Sequence, residues 1–309
     1  MNDTLFQPDV FHTDERRAQA LADFALTSAP IRRAMPEQHR TFFAGLPYLL
    51  ASTLDDHGWP LATLFTGPPG FIRSPDDTHL RINAPRREDD PALAAMFSGK
   101  EIGLLGIDFS NRRRNRANGR IGRMDKNRIE IEIDQSFGNC PKYIQIRDLQ
   151  AVERSDPPPV REDLAELDQD ARDLIRRADT FFVASHAHGD QPQGGADVSH
   201  RGGQPGFVKI EGDRLWIPDF TGNKFMNTLG NLLAEPRAAL LFPDFDKGDI
   251  LHLQGTTEIV WQANALNGPT GAERYWCVDI TRVWRFRHAL PWRGRNVQYS
   301  PATLATGQW

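Results

Sequence analysis

The pair most suited to binding an anion is a serine and an arginine two residues apart, Ser199 and Arg201, in a strand-like run over residues 197–203. Alternate residues of a strand project from the same face, so both side chains would point to one side. A guanidinium offers a forked pair of donors and a hydroxyl offers one more, which together suit a phosphate group. The alternative is a solvated arginine beside a Gly-Gly turn, and this pattern alone leaves both interpretations open.

A second pattern typical of anion binding follows a predicted strand. Thr221, Gly222 and Asn223 precede Lys224, which we expect to open a helix over residues 224–234. A helix N-terminus presents free backbone N–H groups, and a lysine there adds a positive charge. The alternative is an ordinary helix cap formed by Thr221 or Asn223. Because both patterns fall in the same half of the chain, they favour one phosphate-bearing ligand bound mainly by that half.

The first half contains an arginine-rich run over residues 112–119. If this run is a strand, Arg112, Arg114 and Arg116 share one face, where like charges repel and an anion between them would relieve the repulsion. The alternatives are a basic loop or a weak nucleic-acid patch. The net charge of −4 and the lack of interleaved aromatic residues argue against nucleic acid as a partner.

The elements that must position these residues occur twice along the chain. Three short segments recur in the same order 135 or 136 residues later. The pairs are 67–71 with 203–207, 80–82 with 215–217, and 104–109 with 240–245. Such a repeat predicts two folding units that associate as a pseudo-dimer within one chain, divided into residues 1–152 and 153–309. In this alignment Phe65 takes the place of Arg201, so only the second half retains the arginine of the phosphate pattern.

Short β-rich runs bounded by Gly, Pro, Asp or Asn dominate each half, and one helix interrupts each series of strands. This spacing predicts a mainly β protein with some α-helix, built as two tandem six-stranded β-barrels. The predicted helices cover residues 13–45 in one or two pieces, with Thr13 or Asp14 as the cap, and residues 91–98, 161–178 and 224–234. A proline-rich linker is expected at 153–159, and a polar tail is expected after a last strand at 276–288.

Composition narrows the class of protein. Of the 309 residues, 25% are charged and 39% are hydrophobic, as in a soluble globular protein. We find no apolar run long enough to span a bilayer and no secretion signal, and we therefore expect a cytoplasmic protein without a membrane partner. Two cysteines, Cys140 and Cys277, form no disulfide framework or zinc motif.

On these motifs the second half resembles the pyridoxamine 5′-phosphate oxidase-like family of FMN-binding split barrels. The segments that carry the resemblance are 197–208, 221–224, 231–241 and Gly255. The whole chain is similar to the tandem, flavin-nucleotide-binding branch of that family, because residues 67–71, 112–119 and 136–144 match its first-half motifs. The resemblance extends from about residue 40 to residue 290.

The resemblance implies that FMN lies in the groove between two split barrels, which here belong to one chain. Ser199, Arg201 and Lys224 would bind the phosphate, Arg114 and Arg116 would reach the flavin from the opposite barrel, and residues 136–143 would line that side. No catalytic acid or base is singled out. The cofactor-binding residues that we expect are Arg114, Arg116, Ser136, Asn139, Cys140, Lys142, Tyr143, Ser199, Arg201, Phe207, Pro218, Thr221, Gly222, Asn223 and Lys224.

The expected function is that of an FMN-dependent oxidoreductase, and the alternative is a flavin-binding carrier or sensor without turnover. The resemblance departs from the true oxidase, whose Arg-Leu-His-x-Arg stretch has only a loose counterpart at residues 285–288, so pyridoxamine phosphate is not the expected substrate. Some relatives are joined to a ferredoxin-reductase-like module. Here we expect a small-molecule or nicotinamide electron donor, or a separate reductase, and the chain could dimerise further.

Overall fold

The computed structural model describes residues 10–85, 87–152, 158–188 and 193–309, which form seventeen strands, six α-helices and one short 3₁₀ helix at Ala263–Ala265. The first-half strands are β1 (Tyr48–Leu54), β2 (Pro60–Thr66), β3 (Ile72–Arg73), β4 (His79–Asn83), β5 (Glu101–Asp108), β6 (Arg113–Met124), β7 (Arg128–Gly138) and β8 (Ile146–Ala151). The second-half strands are β9 (Val160–Leu164), β10 (Thr180–Ala187), β11 (Gly195–Gly202), β12 (Lys209–Glu211), β13 (Arg214–Phe220), β14 (Arg237–Pro243), β15 (Ile250–Val260), β16 (Ala272–Arg287) and β17 (Trp292–Gln298). The helices are α1 (Thr13–Leu21), α2 (Glu37–Gly45), α3 (Pro91–Ala95), α4 (Gln169–Arg177), α5 (Asn227–Ala234) and α6 (Pro301–Leu304).

The two large sheets are antiparallel and share one strand order. The first runs β2-β1-β5-β6-β7-β4-β3 and the second runs β11-β10-β14-β15-β16-β13-β12, with β9 added beside β16. Counted from β1 in the first half and from β10 in the second, each path therefore reads 2-1-5-6-7-4-3. Each path has seven strands rather than the six that we predicted, and neither path closes by hydrogen bonds into a complete barrel.

Alternation along the strands explains how the halves pack. Leu49 of β1 lies in the first core while its neighbour Leu50 faces the other half, because successive residues project from opposite faces. Phe181 and Phe182 of β10 divide in the same way between the second core and the interface. These strands are apolar on both faces because each one separates a core from an apolar interface.

A small separate sheet also joins the two halves. In it β8 pairs with β17, with Trp292 opposite Ala151 and Arg295 opposite Asp148. This pairing crosses the predicted domain boundary at residues 152 and 153, which stays a prediction. The predicted linker falls largely on residues 153–157, which lie outside the described residues.

Several predicted helix boundaries are wrong. The first helix is capped by His12 rather than by Thr13 or Asp14, since the His12 side chain accepts a hydrogen bond from the Glu15 backbone N–H. Residues 161–164, expected at the start of a helix, belong to β9, in which Glu162 accepts a hydrogen bond from Arg285 of β16 at 2.5 Å. The expected polar tail forms β17 and α6.

Within the described ranges, no helix has the length and apolar character needed to cross a membrane. Across the same ranges, no group of three or more histidine, cysteine, aspartate or glutamate side chains could hold a metal ion. Cys140 and Cys277 are both free thiols.

Candidate functional site: a cationic cleft between the halves

A cleft opens where β11, the loop after β13 and the start of α5 face the first half. It contains about 850 Å³ of space, including its open mouth. Twelve of the fifteen residues that we predicted to bind a cofactor line it. They are Arg114, Arg116, Asn139, Cys140, Lys142, Tyr143, Arg201, Phe207, Pro218, Gly222, Asn223 and Lys224.

 Counted by half, six of these twelve residues belong to the first half and six to the second, so both halves build the cleft.

The charges that line this cleft are strongly unbalanced. Six cationic side chains face two carboxylates, so we call it the cationic cleft. The cations are Arg114, Arg116, Lys142, Arg201, Lys224 and Arg274, and the carboxylates are Asp219 and Glu273. A second cleft is lined by three arginines and three carboxylates. An anionic ligand is therefore favoured in the cationic cleft, where the positive potential is concentrated.

Arg201 retains donors for a ligand. It donates to the backbone carbonyl of His200 at 3.2 Å, and its closest carboxylate, Asp219, lies 3.9 Å away. That carboxylate is already bonded to Arg274 at 2.5 Å. The Arg201 Nε is buried and has no partner among the described residues. Burial lowers the pKa of Arg201, and the charge of Asp219 opposes that shift.

Arg114 of β6 is the least compensated arginine of the cleft. It donates to Nδ1 of His200 at 3.1 Å and to Sγ of Cys140 at 3.6 Å, and no salt bridge joins it to a carboxylate of the described residues. Burial lowers the pKa of Arg114 to about 10. Because arginine only donates, Nδ1 of His200 must accept, so Nε2 carries the proton of a neutral ring. Burial, with the charges of Arg114 and Arg201, holds the pKa of His200 well below its ordinary value.

Arg116, by contrast, is compensated within the protein. Its guanidinium donates to Asp197 and to the hydroxyl of Ser199, and the Thr228 hydroxyl also donates to Ser199 at 2.8 Å. Ser199 therefore does not line the cleft, although it shares a strand face with Arg201 as predicted. Arg112 was expected on the same face as the other two arginines. It precedes β6 with a φ of 62° and donates to the carbonyl of Ile144 at 3.0 Å.

The loop before α5 differs from the predicted helix start. The Asn223 side chain accepts a hydrogen bond from the backbone N–H of Phe225 at 3.2 Å, and Lys224 and Met226 both have a φ of 64°. The helix therefore begins at Asn227, three residues later than expected. A Cβ added to Gly222 would meet nothing closer than 3.9 Å, so this part of the loop leaves room beside its backbone.

Contacts across the cleft connect the loop to the first half. The Tyr143 hydroxyl donates to the carbonyl of Thr221 at 3.1 Å, and Nζ of Lys142 lies 3.4 Å from the same oxygen. Thr221 thus joins the halves and does not line the cleft. Ser136 also lies elsewhere, buried, with its Oγ 2.8 Å from Nδ1 of His39.

Sequence reasoning missed ten lining residues. They are His200, Gly202, Asp219, Phe220, Met226, Asn227, Thr228, Leu229, Glu273 and Arg274. A signal existed for His200, because the aligned first half has Leu64 there. No comparable signal marked Arg274, which reaches the cleft from the long strand β16.

The equivalent position in the other half is filled. At the spacing of 136 residues, Thr63 corresponds to Ser199 and His252 corresponds to Arg116. Thr63 donates to Asp90 at 2.6 Å instead of meeting an arginine. His252 is buried and stacks on Trp284, with ring centroids 5.0 Å apart and an interplanar angle of 10°. A stacked pair of aromatic rings therefore takes the place that Arg116 has in the cationic cleft.

The solved structures reported below each cover less than half of the chain. No curated protein matches the chain. Among 24 matching chains of solved structures, HupZ of Group A Streptococcus is 16% identical, with 38% of this chain and 90% of that chain covered and a TM-score of 0.29. A FAD-binding protein of Mesorhizobium loti is 12% identical (41% and 98% covered, TM-score 0.28), and an F420 reductase is 13% identical (34% and 98% covered, TM-score 0.24).

The family model described as pyridoxamine 5′-phosphate oxidase matches residues 167–285. This range contains β10, β11 and α5, which supply the second-half wall of the cationic cleft. The predicted resemblance is thereby confirmed for this part of the sequence. Over residues 167–285, the chain is therefore similar to the pyridoxamine 5′-phosphate oxidase-like family.

Proposed function

We propose that this protein is an FMN-dependent oxidoreductase of the tandem branch of its family, with one FMN in the cationic cleft. The observation that carries the proposal is that residues selected from both halves of the sequence line one cleft with a strong excess of positive charge.

The proposal includes an intramolecular pseudo-dimer of two split barrels. Its support is the common strand order of the two large sheets and the apolar interface between them. In that arrangement each half contributes one wall of a single cofactor site.

The residues of the cleft suit a flavin nucleotide. Arg201 and Lys224, with the open backbone at Gly222, would bind the phosphate. Arg114 and Lys142 would place positive charge on the opposite side, and His200 would orient Arg114 through its Nδ1. When bound, FMN supplies the electron transfer, while these residues orient it and adjust its reduction potential.

The substrate we propose is not pyridoxamine phosphate. Arg285 and Arg287 stand where the sequence loosely echoes the phosphate-binding stretch of the oxidase. Arg285 is bonded to Asp168 at 2.5 Å, and Arg287 is bonded to Asp249 at 2.9 Å. Because these arginines are already paired, they are not free to bind the phosphate of pyridoxamine phosphate. Another molecule must then supply the electrons, and we propose a small molecule, a nicotinamide or a separate reductase.

The test is a titration of the purified, cofactor-free protein with FMN, followed by flavin fluorescence and visible absorption. We expect quenching of the flavin fluorescence on binding, then bleaching of the bound flavin by NADH or NADPH without oxygen, and reoxidation by an added acceptor. Failure to take up FMN would overturn the proposal. Uptake of FMN that no added donor can reduce would support the carrier or sensor alternative.

A further inference from the structure

The segment after β17 lies against both walls of the cationic cleft. Ser300 caps the short helix α6, and Thr303 within it is completely buried, whereas Leu304 beside it is 63% exposed. A fully buried threonine on a one-turn helix needs partners for its polar groups. Those partners come from the two halves of the chain.

The first-half partner is Gln145. Its side-chain nitrogen donates to Oγ1 of Thr303 at 2.9 Å and to the carbonyl of Tyr143 at 3.2 Å, and its oxygen accepts from the N–H of Ser300 at 2.9 Å. Tyr143 lines the cleft with a φ of 63°, a conformation that costs free energy for a residue with a side chain. Gln145 therefore helps to hold a strained residue of the cleft in place.

The second-half partner is the loop that follows Arg201. Gln204 donates from its side-chain nitrogen to the carbonyls of Thr303, at 3.4 Å, and Thr306. The indole N–H of Trp309 donates to the carbonyl of Phe207 at 2.9 Å. Phe207 lines the cleft, so this wall is also bonded to the segment after β17.

The two walls meet without spare room. A Cβ added to Gly202 would lie 2.1 Å from the carbonyl oxygen of Tyr143. That carbonyl is the one that Gln145 holds. A shift of either wall must therefore be transmitted to the other or to Thr303, which contacts both.

We propose that residues 300–309 act as a clamp, with Thr303 at its centre, that fixes both walls of the cationic cleft and so controls how long a ligand stays bound. The clamp rests on the proposed function only for the identity of that ligand. Thr303 is a positioning residue, since it acts through Gln145 and Gln204 and does not line the cleft.

The experiment compares Thr303→Val, which keeps the shape and removes the hydroxyl, with Thr303→Ser, which restores it. Hydrogen exchange is measured over residues 142–146 and 202–208, and FMN dissociation is measured by stopped flow. For Thr303→Val we expect faster exchange in residues 142–146 and dissociation roughly five- to tenfold faster, the effect of losing one buried hydrogen bond. Thr303→Ser and the exposed-site control Leu304→Ala should behave like the parent.

Gln204→Ala serves as the second variant, because it removes the bonds from Gln204 to Thr303 and Thr306, leaves Gln145 in place and should speed exchange in residues 202–208. Parent-like exchange in both variants, or faster exchange with unchanged FMN dissociation, would overturn the clamp. If the parent itself binds no FMN, the proposed function fails, while the exchange measurements still decide whether the clamp holds the walls.

Discussion

The arginines of the cationic cleft differ in how their charge is balanced. Arg116 is paired with Asp197 and Arg274 with Asp219, whereas Arg114 meets a neutral histidine and a thiol. A buried charge without a counter-charge is costly, so an anion gains most by approaching the uncompensated arginines. Affinity for an anionic ligand should therefore depend more on Arg114 and Arg201 than on Arg116.

The variant Arg201→Ala tests whether Arg201 binds the phosphate group of FMN. We expect FMN binding to weaken by about 1.5–3 kcal/mol, the scale of a hydrogen bond to a charged group. Riboflavin, which lacks the phosphate, should bind the variant and the parent almost equally, as measured by fluorescence titration. Arg176→Ala, at an exposed arginine of α4, is the control. An equal loss for riboflavin and FMN would show that Arg201 contributes packing and not phosphate binding.

At this scale the sequence could place Ser199 and Arg201 on one face because strand alternation is local. It could not reveal that the Ser199 hydroxyl is bonded to Arg116, since the two residues are 83 positions apart. The anion that the arginine run was expected to need is supplied for Arg116 by Asp197 of the protein itself.

At the scale of the secondary-structure elements, strands were predictable where apolar and polar residues alternate clearly. The first residues of the helices were not predictable. Residues 161–164 contain charged residues that are common in helices, yet they pair with β16, where Glu162 contacts both Arg285 and Arg287. Tertiary pairing thus overrides local propensity. The start of α5 moved because Lys224 and Met226 take left-handed backbone conformations that a propensity pattern does not report.

The packing of α1 on α5 buries an acid. A Cβ added to Gly230 of α5 would lie 2.7 Å from the Cα of Glu15, which shows how closely the helices approach. Glu15 accepts hydrogen bonds from the side chain of Asn227 and, at 2.9 Å, from the backbone N–H of His12. Burial raises the pKa of Glu15 to about 8, against an ordinary value of 4.5.

A raised carboxyl pKa in the folded state means that unfolding releases a proton above pH 4.5, so stability falls as the pH rises towards 8. Glu15→Gln should remove this loss. We expect the variant to match the parent near pH 4.5 and to be more stable by about 2–5 kcal/mol at pH 8.5, measured by urea unfolding. Glu37→Gln, at an exposed first-turn glutamate, is the control. A stability difference that does not change with pH would contradict the buried-acid explanation.

At the scale of the whole molecule, two sheets of the same strand order are joined by an apolar interface and by the β8–β17 sheet. The recurring segments predicted two related units. The alignment of Phe65 with Arg201 predicted that only the second unit has the phosphate-binding arginine. The sequence could not show how completely the equivalent position is filled. Trp284, which stacks on His252 there, lies outside the recurring segments.

The difference between the two halves predicts how many FMN molecules each chain binds. The cationic cleft is built from both halves of one chain, and its equivalent holds a buried His252 against Trp284, a Thr63 bonded to Asp90 and no arginine in place of Arg201. We therefore expect one FMN per chain, whether or not chains associate further. Isothermal titration with FMN, combined with light scattering to fix the oligomeric state, measures this directly. The expected result is saturation at one equivalent at protein concentrations above and below any self-association. Saturation at two equivalents would mean that the aromatic rings move aside and that both positions bind, and saturation at one per two chains would mean that the cleft is completed by a second copy of the chain.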